Sequence, residues 1–79
     1  RFVGANLTRA DFIDADLSEV SFRGAILDQT DFTDAVMIEA DLRGSRGLTC
    51  NQLVLARDWE LTLRDETLAC GAQIPSGTD

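Results

Sequence analysis

Residues 5–44, written in fives, read ANLTR ADFID ADLSE VSFRG AILDQ TDFTD AVMIE ADLRG. The third place of each five is large and apolar: Leu7, Phe12, Leu17, Phe22, Leu27, Phe32, Met37 and Leu42, with Phe2 in phase before them. The first place is small: Ala5, Ala10, Ala15, Val20, Ala25, Thr30, Ala35 and Ala40. A period of five fits neither the ~3.6 residues of a helical turn nor the ~2 of an extended strand, so neither element alone buries the third places on one face. A coil that turns a corner every five residues does bury them. Phe2, Leu7, Phe12, Leu17, Phe22, Leu27, Phe32, Met37 and Leu42 are therefore the expected inward core ladder.

The number of corners per turn follows from self-comparison, because residues one full turn apart stack and share an environment. Shifting residues 1–44 against themselves by fifteen gives 4 identities in 29 pairs, by ten 9 in 34, and by twenty 11 in 24. Twenty wins, with Phe2/Phe22, Phe12/Phe32, Leu7/Leu27, Asp11/Asp31, Asp14/Asp34, Glu19/Glu39, Arg23/Arg43 and the column Gly4/Gly24/Gly44 among the matches. Four fives per coil follow, with phenylalanines on two opposite sides and Leu/Met on the other two. Large side chains then interdigitate in a narrow interior, while the alanine places let the backbone pass close at each corner.

These A(D/N)LxX and A(D/N)FxX runs resemble the pentapeptide-repeat family over about nine fives. The resemblance implies an all-β solenoid, a right-handed quadrilateral β-helix with four repeats per coil; handedness comes from the resemblance alone. Such a short stack has two open ends that expose core and unpaired backbone groups. The chain starts inside a repeat, at Arg1-Phe2-Val3-Gly4 and without Met. It reads as part of something longer, whose missing N-terminus could carry targeting information and further repeats.

Repeats are expected over residues 1–47, a C-terminal helical cap over 48–71 and a flexible tail over 72–79. Within the cap, Thr49-Cys50-Asn51-Gln52 reads as a capping box that opens a helix running to about residue 58, with Leu53, Val54 and Ala56 inward. WELTLR at 59–64 alternates apolar and polar residues, and Asp65 is placed to N-cap a second helix that ends at Gly71. Leu48, Leu53, Trp59, Leu61, Leu63 and Leu68 read as a lid over the last coil.

Cys50 and Cys70 stand twenty residues apart. A disulfide, two buried thiols and half of a metal site compete. Zinc wants four soft or imidazole ligands, and the chain has no His and only these two Cys. A cross-link closing that loop would contribute roughly 3 kcal/mol, a large share of what so small a core supplies, and it would imply an oxidising compartment. The cap also looks like the C-terminal region of cyanobacterial pentapeptide-repeat proteins, and its Cys-to-Cys spacing is similar to that of plant thylakoid-lumen members. That resemblance points to the lumen or periplasm, with a cytoplasmic protein carrying two reduced cysteines as the alternative.

The net charge of -7, from seven arginines against fourteen carboxylates with no lysine, would repel phosphate backbones and anionic lipid surfaces. Direct nucleic-acid binding is not expected, nor is membrane insertion, since no apolar run approaches the roughly 20 residues a span needs. No His, Lys or Tyr is present, and no Ser or Cys has an adjacent base by motif, so no catalytic residues, cofactor or metal are assigned. The carboxylate columns Asp11/Asp31, Asp14/Asp34 and Glu19/Glu39 read as a solvated acidic face rather than a calcium site.

The expected role is a non-enzymatic interaction or scaffold module for an unidentified protein partner, working as a monomer or an end-stacked dimer. Ile13, Ile26, Val36 and Ile38 place apolar residues where the repeat prefers outward polar ones, and they form the candidate contact patch. Val36 and Ile38, which flank inward Met37, could equally be covered by the cap. Two further readings are a redox-responsive lumenal regulator acting through Cys50–Cys70, and a DNA mimic binding a type II topoisomerase. Two coils are short for the second.

Overall fold

The computed structural model describes residues 1–76. Its backbone repeats every twenty residues. Parallel bridges join Asn6 to Ile26, Asp11 to Asp31, Asp16 to Val36, Ser21 to Asp41 and Ile26 to Arg46. Three amides of each five supply the ladder between coils. The third- and fifth-place N–H groups donate onward, as in Leu7 N to Ile26 O (2.8 Å) and Arg9 N to Asp28 O (2.9 Å). The second-place N–H donates back, as in Ile26 N to Ala5 O (2.9 Å).

Corners fall at the fourth and fifth places. Each is closed by a bond such as Ala5 N to Phe2 O (3.0 Å), and the fifth residue lies in the left-handed region: Gly4, Arg9, Asp14, Glu19, Gly24, Gln29, Asp34, Glu39 and Gly44. Positive φ at the third turn residue alone is the type II pattern. It leaves two or three extended residues between corners. That is why the expected all-β character appears only as isolated bridges, and no continuous strand forms among the described residues.

The fourth-place N–H serves neither the ladder nor the corner bond, and this explains the Asp/Asn preference at the second place. Asn6, Asp11, Asp16, Asp31 and Asp41 each accept from the N–H two residues on, at 2.9 to 3.2 Å, through Oδ1. Thr30, the one hydroxyl among the first places of residues 5–44, is buried and donates to Leu7 O at 2.8 Å.

The inward residues fill the coil in columns. Phe2 stacks on Phe22 at 5.4 Å between ring centroids and Phe12 on Phe32 at 5.7 Å. The two stacks meet edge-on, Phe12 against Phe22 at 5.9 Å and Phe22 against Phe32 at 5.7 Å, the arrangement favoured by ring quadrupoles. Leu17, Phe22, Leu27, Phe32, Met37 and Leu42 are buried. Phe2, Leu7 and Phe12 pack against the same core but are half-buried, in the coil farthest from the cap.

The C-terminal region departs from expectation. The capping box is present: Gln52 N donates to Thr49 Oγ1 (3.4 Å), and Thr49 N donates to Gln52 Oε1 (2.9 Å). The helix it opens, α1 (Cys50–Leu53), is one turn and does not run on to residue 58. Residues 55–57 are drawn back into the ladder, where Asp34 N donates to Leu55 O, Met37 N to Arg57 O and Arg57 N to Ala35 O. Asp58 then turns the chain with φ 56.

The second expected helix is also absent; Trp59–Leu61 and Glu66–Leu68 are single 3-10 turns. Asp65 makes no cap hydrogen bond and instead accepts from Gly44 N at 2.8 Å. Leu42 N to Leu63 O and Leu63 N to Ala40 O carry the ladder onto the last side. The cap is thus a third, partial coil made from sequence without the repeat. Leu48, Leu53, Ala56 and Leu68 are buried beneath the repeats, whereas Val54 and Leu61, expected to face inward, are exposed. Within the expected tail, Ala72 N donates to Ala69 O at 3.0 Å and Gln73 O accepts from Arg64. Its last residues, 77–79, lie outside the described residues.

Candidate functional site

Four fives per coil put residues five apart on successive sides and residues twenty apart in one column. On each side the third place faces in, and the second and fourth face out. The four residues read as one candidate patch therefore separate: Ile26 lies on the side of residues 25–29, Ile13 on that of 10–14, and Val36 with Ile38 on that of 35–39. Only Val36 and Ile38 share a side.

The cap does not cover that pair; it adds to it. Glu19 N donates to Ile38 O, and Glu39 N makes the equivalent bond to Leu61 O, so Leu61 continues the column of Ser18 and Ile38. Val36 bridges to Arg57 in the neighbouring column. Ile38 is 36% exposed and Leu61 48%, stacked one strand spacing apart beside half-buried Val36. Sequence reading assigned Leu61 to the lid; only the ladder bond to Glu39 reveals that it faces outward.

This side is also acidic. Residues 15–19, 35–39 and 57–61 contain Asp16, Glu19, Glu39, Asp58 and Glu60 against Arg57, five carboxylates to one arginine, a formal -4 of the chain's -7. All five carboxylates are exposed. Hydrogen bonding from Ser18, through its side chain and backbone, holds the Asp16 carboxyl below its ordinary value. Arg57 reaches Asp34 at the adjoining corner at 3.9 Å. The next side, 20–24 and 40–44, is different: Asp41 is bound by Arg43 through Nε and Nη2 (3.0 and 2.9 Å) and lies 3.6 Å from Arg23. Those contacts, led by the Arg43 hydrogen bond, lower the Asp41 carboxyl.

The carboxylate columns are occupied or open. Asp11 and Asp31 are engaged in their own turns, and Thr33 bonding holds the Asp31 carboxyl low. Among the described residues no group of three or more His, Cys, Asp or Glu is placed to hold a metal ion. A groove of about 310 Å³ lies between residues 29–33 and α1, walled by Asp31, Thr33, Asn51, Gln52 and Leu55.

Three devices hold the cap in register. Cys50 and Cys70 form a disulfide with a Cα–Cα distance of 5.6 Å. Gln52 Nε2 donates to Leu27 O (2.9 Å) and Thr30 O (3.0 Å), fastening α1 to the coil above. The third device is Arg64, which the sequence reading passed over as one polar place in an alternating run. The residue is 3% exposed, and its guanidinium lies over the Trp59 ring at 5.3 Å and directs its N–H groups at the carbonyls of Glu60, Thr62, Leu68, Ala69 and Gln73. Desolvation lowers its pKa, offset in part by the Glu60 carboxylate. The position of Arg64 among Leu61, Leu63 and Leu68 was the available signal, since a buried guanidinium must find several acceptors.

Among the described residues no helix is long and apolar enough to cross a membrane. A family model described as pentapeptide repeats matches residues 1–24 and 15–46, in eight copies. No curated protein and no solved structure matches the chain.

Proposed function

The chain belongs to the pentapeptide-repeat family, and on that premise we propose that it is a non-enzymatic protein-interaction module, a right-handed quadrilateral solenoid that presents one side to a partner. The observation that carries this reading is the outward apolar column Ile38–Leu61 with Val36 beside it. The coil interior is filled by its own side chains, so contact surface lies on the sides. A photo-reactive residue at position 38 or 61 is expected to capture a protein in extract of the native source. The same group at Thr8, on another side, is not. Equal capture at all three positions, or none from the folded protein, contradicts the proposal.

A second reading rests on the disulfide. Reduction of Cys50–Cys70 would release one anchor of the cap and loosen the partial coil below Leu42, changing what the molecule binds. An oxidising compartment, lumen or periplasm, accompanies that reading. Hydrogen exchange in residues 48–70 that is the same with and without reductant sinks it. The duplex-mimic reading ranks below both, because negative charge is concentrated on two sides and Arg23 and Arg43 offset it on a third.

A further inference from the structure

Resting on the interaction-module reading above, we infer that the side bearing Val36, Ile38 and Leu61 takes a basic, apolar-bearing segment of a partner protein. The argument is charge complementarity around an apolar strip. Ile38 and Leu61 are stacked and exposed, so a partner side chain laid across them removes apolar surface on both. The carboxylates of Glu19, Glu39, Asp58 and Glu60 follow the same corner and edge and are all exposed. Arg57, the one cation on this side, already leans toward Asp34 at 3.9 Å. An acidic segment or a second copy of this chain would meet like charge there, which costs affinity and slows encounter, whereas lysines or arginines alternating with apolar residues meet opposite charge.

The neighbouring side tests the logic within the same molecule. Residues 10–14 and 30–34 also carry four carboxylates, Asp11, Asp14, Asp31 and Asp34. There, however, the column runs Ile13, Thr33, Leu55, since Asp34 N donates to Leu55 O, and polar Thr33 separates the two exposed apolar residues, so charge without a continuous apolar strip is available as a control.

The probe is a labelled nine-residue peptide alternating leucine and lysine, compared with leucine–glutamate and serine–lysine peptides of the same length, by fluorescence anisotropy. Ile38→Ser with Leu61→Ser removes the strip; Ser18 already occupies this column one coil earlier, so the coil tolerates the residue. Glu39→Gln with Glu60→Gln removes charge from the strip's rim, and Asp11→Asn with Asp31→Asn removes the same charge from the neighbouring side. Circular dichroism melts confirm that each variant is folded.

The leucine–lysine peptide is expected to bind, about tenfold or more weaker after loss of the strip and several-fold weaker after loss of its rim charge, with affinity falling as salt rises. The neighbouring-side variant is expected to bind as the parent does. Loss of binding in the neighbouring-side variant alone overturns the assigned surface. Equal binding of the leucine–glutamate peptide overturns the charge argument but leaves this side a contact surface. Binding of the serine–lysine peptide as tight as that of leucine–lysine reduces the interaction to charge and overturns the strip. Binding of none of the three overturns this inference, and capture at positions 38 and 61 then decides the interaction reading separately. A parent dimer that dissociates on Ile38→Ser with Leu61→Ser makes a second copy the occupant and overturns the inference too.

Discussion

Replacing Arg64 tests the cap at its most concentrated point. In Arg64→Met a side chain of similar length fills the site, but the carbonyls of Leu68 and Glu60, bonded at 2.8 and 3.0 Å, lose their donor, while Ala69 O, bonded at 2.7 Å, keeps only Ala72 N. Two carbonyls left without donors cost about 1–3 kcal/mol each, and the stacking on Trp59 is worth roughly another 1 kcal/mol. Against this, the buried guanidinium no longer has to be desolvated, which returns a few kcal/mol.

The balance is a destabilisation of about 2–4 kcal/mol, and a drop in melting temperature of roughly 10–25 °C for a chain this short. Arg64→Lys keeps the charge but supplies three donors from one point and no planar face, so it is expected to recover less than half of the loss. The assay is urea unfolding followed by Trp59 fluorescence and, in parallel, by far-ultraviolet circular dichroism. Trp59 is the only tryptophan and touches the substituted side chain. An Arg64→Met protein whose midpoint stays within about 0.5 kcal/mol of the parent, with unchanged Trp59 emission, would refute the reasoning.

Other expectations follow from the same contacts. Removing the cross-link by Cys50→Ala with Cys70→Ala opens a loop with a sequence separation of 20 and is expected to cost about 3 kcal/mol in the chain-entropy description, read as a lowered urea midpoint against the oxidised parent. Gly47→Ala is expected to cost roughly 2–3 kcal/mol, because left-handed backbone at φ +80 coincides with a Cβ position 3.1 Å from the Asp28 backbone. Gly24→Ala, at φ +69 with open space around it, should cost less by the same melt. The Asp41 carboxyl is depressed in the folded chain, so its contribution is present above the ordinary value of 3.8 and is lost as pH falls below it. The stability difference between the parent and Asp41→Asn is therefore expected to be full at neutral pH and to shrink below pH 3.8, as measured by urea midpoints across a pH series.

The repeat was readable because its information is periodic. Third-place side chains have one inward direction, and residues twenty apart meet, so Phe2/Phe22 and Phe12/Phe32 could be paired before any coordinates. The meaning of second-place Asp and Asn was not readable, because it depends on which amide the ladder leaves free. The cap was misjudged for a related reason. Residues 54–58 have no helix breaker and Thr49 opens a proper box, but Arg57 exchanges ladder bonds with Ala35 and Met37, and tertiary pairing overrides local preference. Leu61 and Arg64 changed roles with it. Once 55–63 runs as a partial coil, Leu61 faces outward next to Ile38, and Arg64 turns under the last side toward five carbonyls. Of the four apolar residues singled out as a contact patch, spacing alone could unite only Val36 and Ile38, since the others sit one and two corners away.

Amide hydrogen exchange resolved by residue tests the coil and its continuation into the cap most directly. Slow exchange is expected for Leu27, Val36, Met37, Asp41 and Leu42, and equally for Arg57 and Leu63, whose amides donate to Ala35 O at 2.8 Å and Ala40 O at 2.9 Å. Asn6, Asp11 and Asp16, whose amides face the uncovered end, should exchange fast. Exchange at Arg57 and Leu63 as fast as at Asn6 and Asp11 would contradict the account.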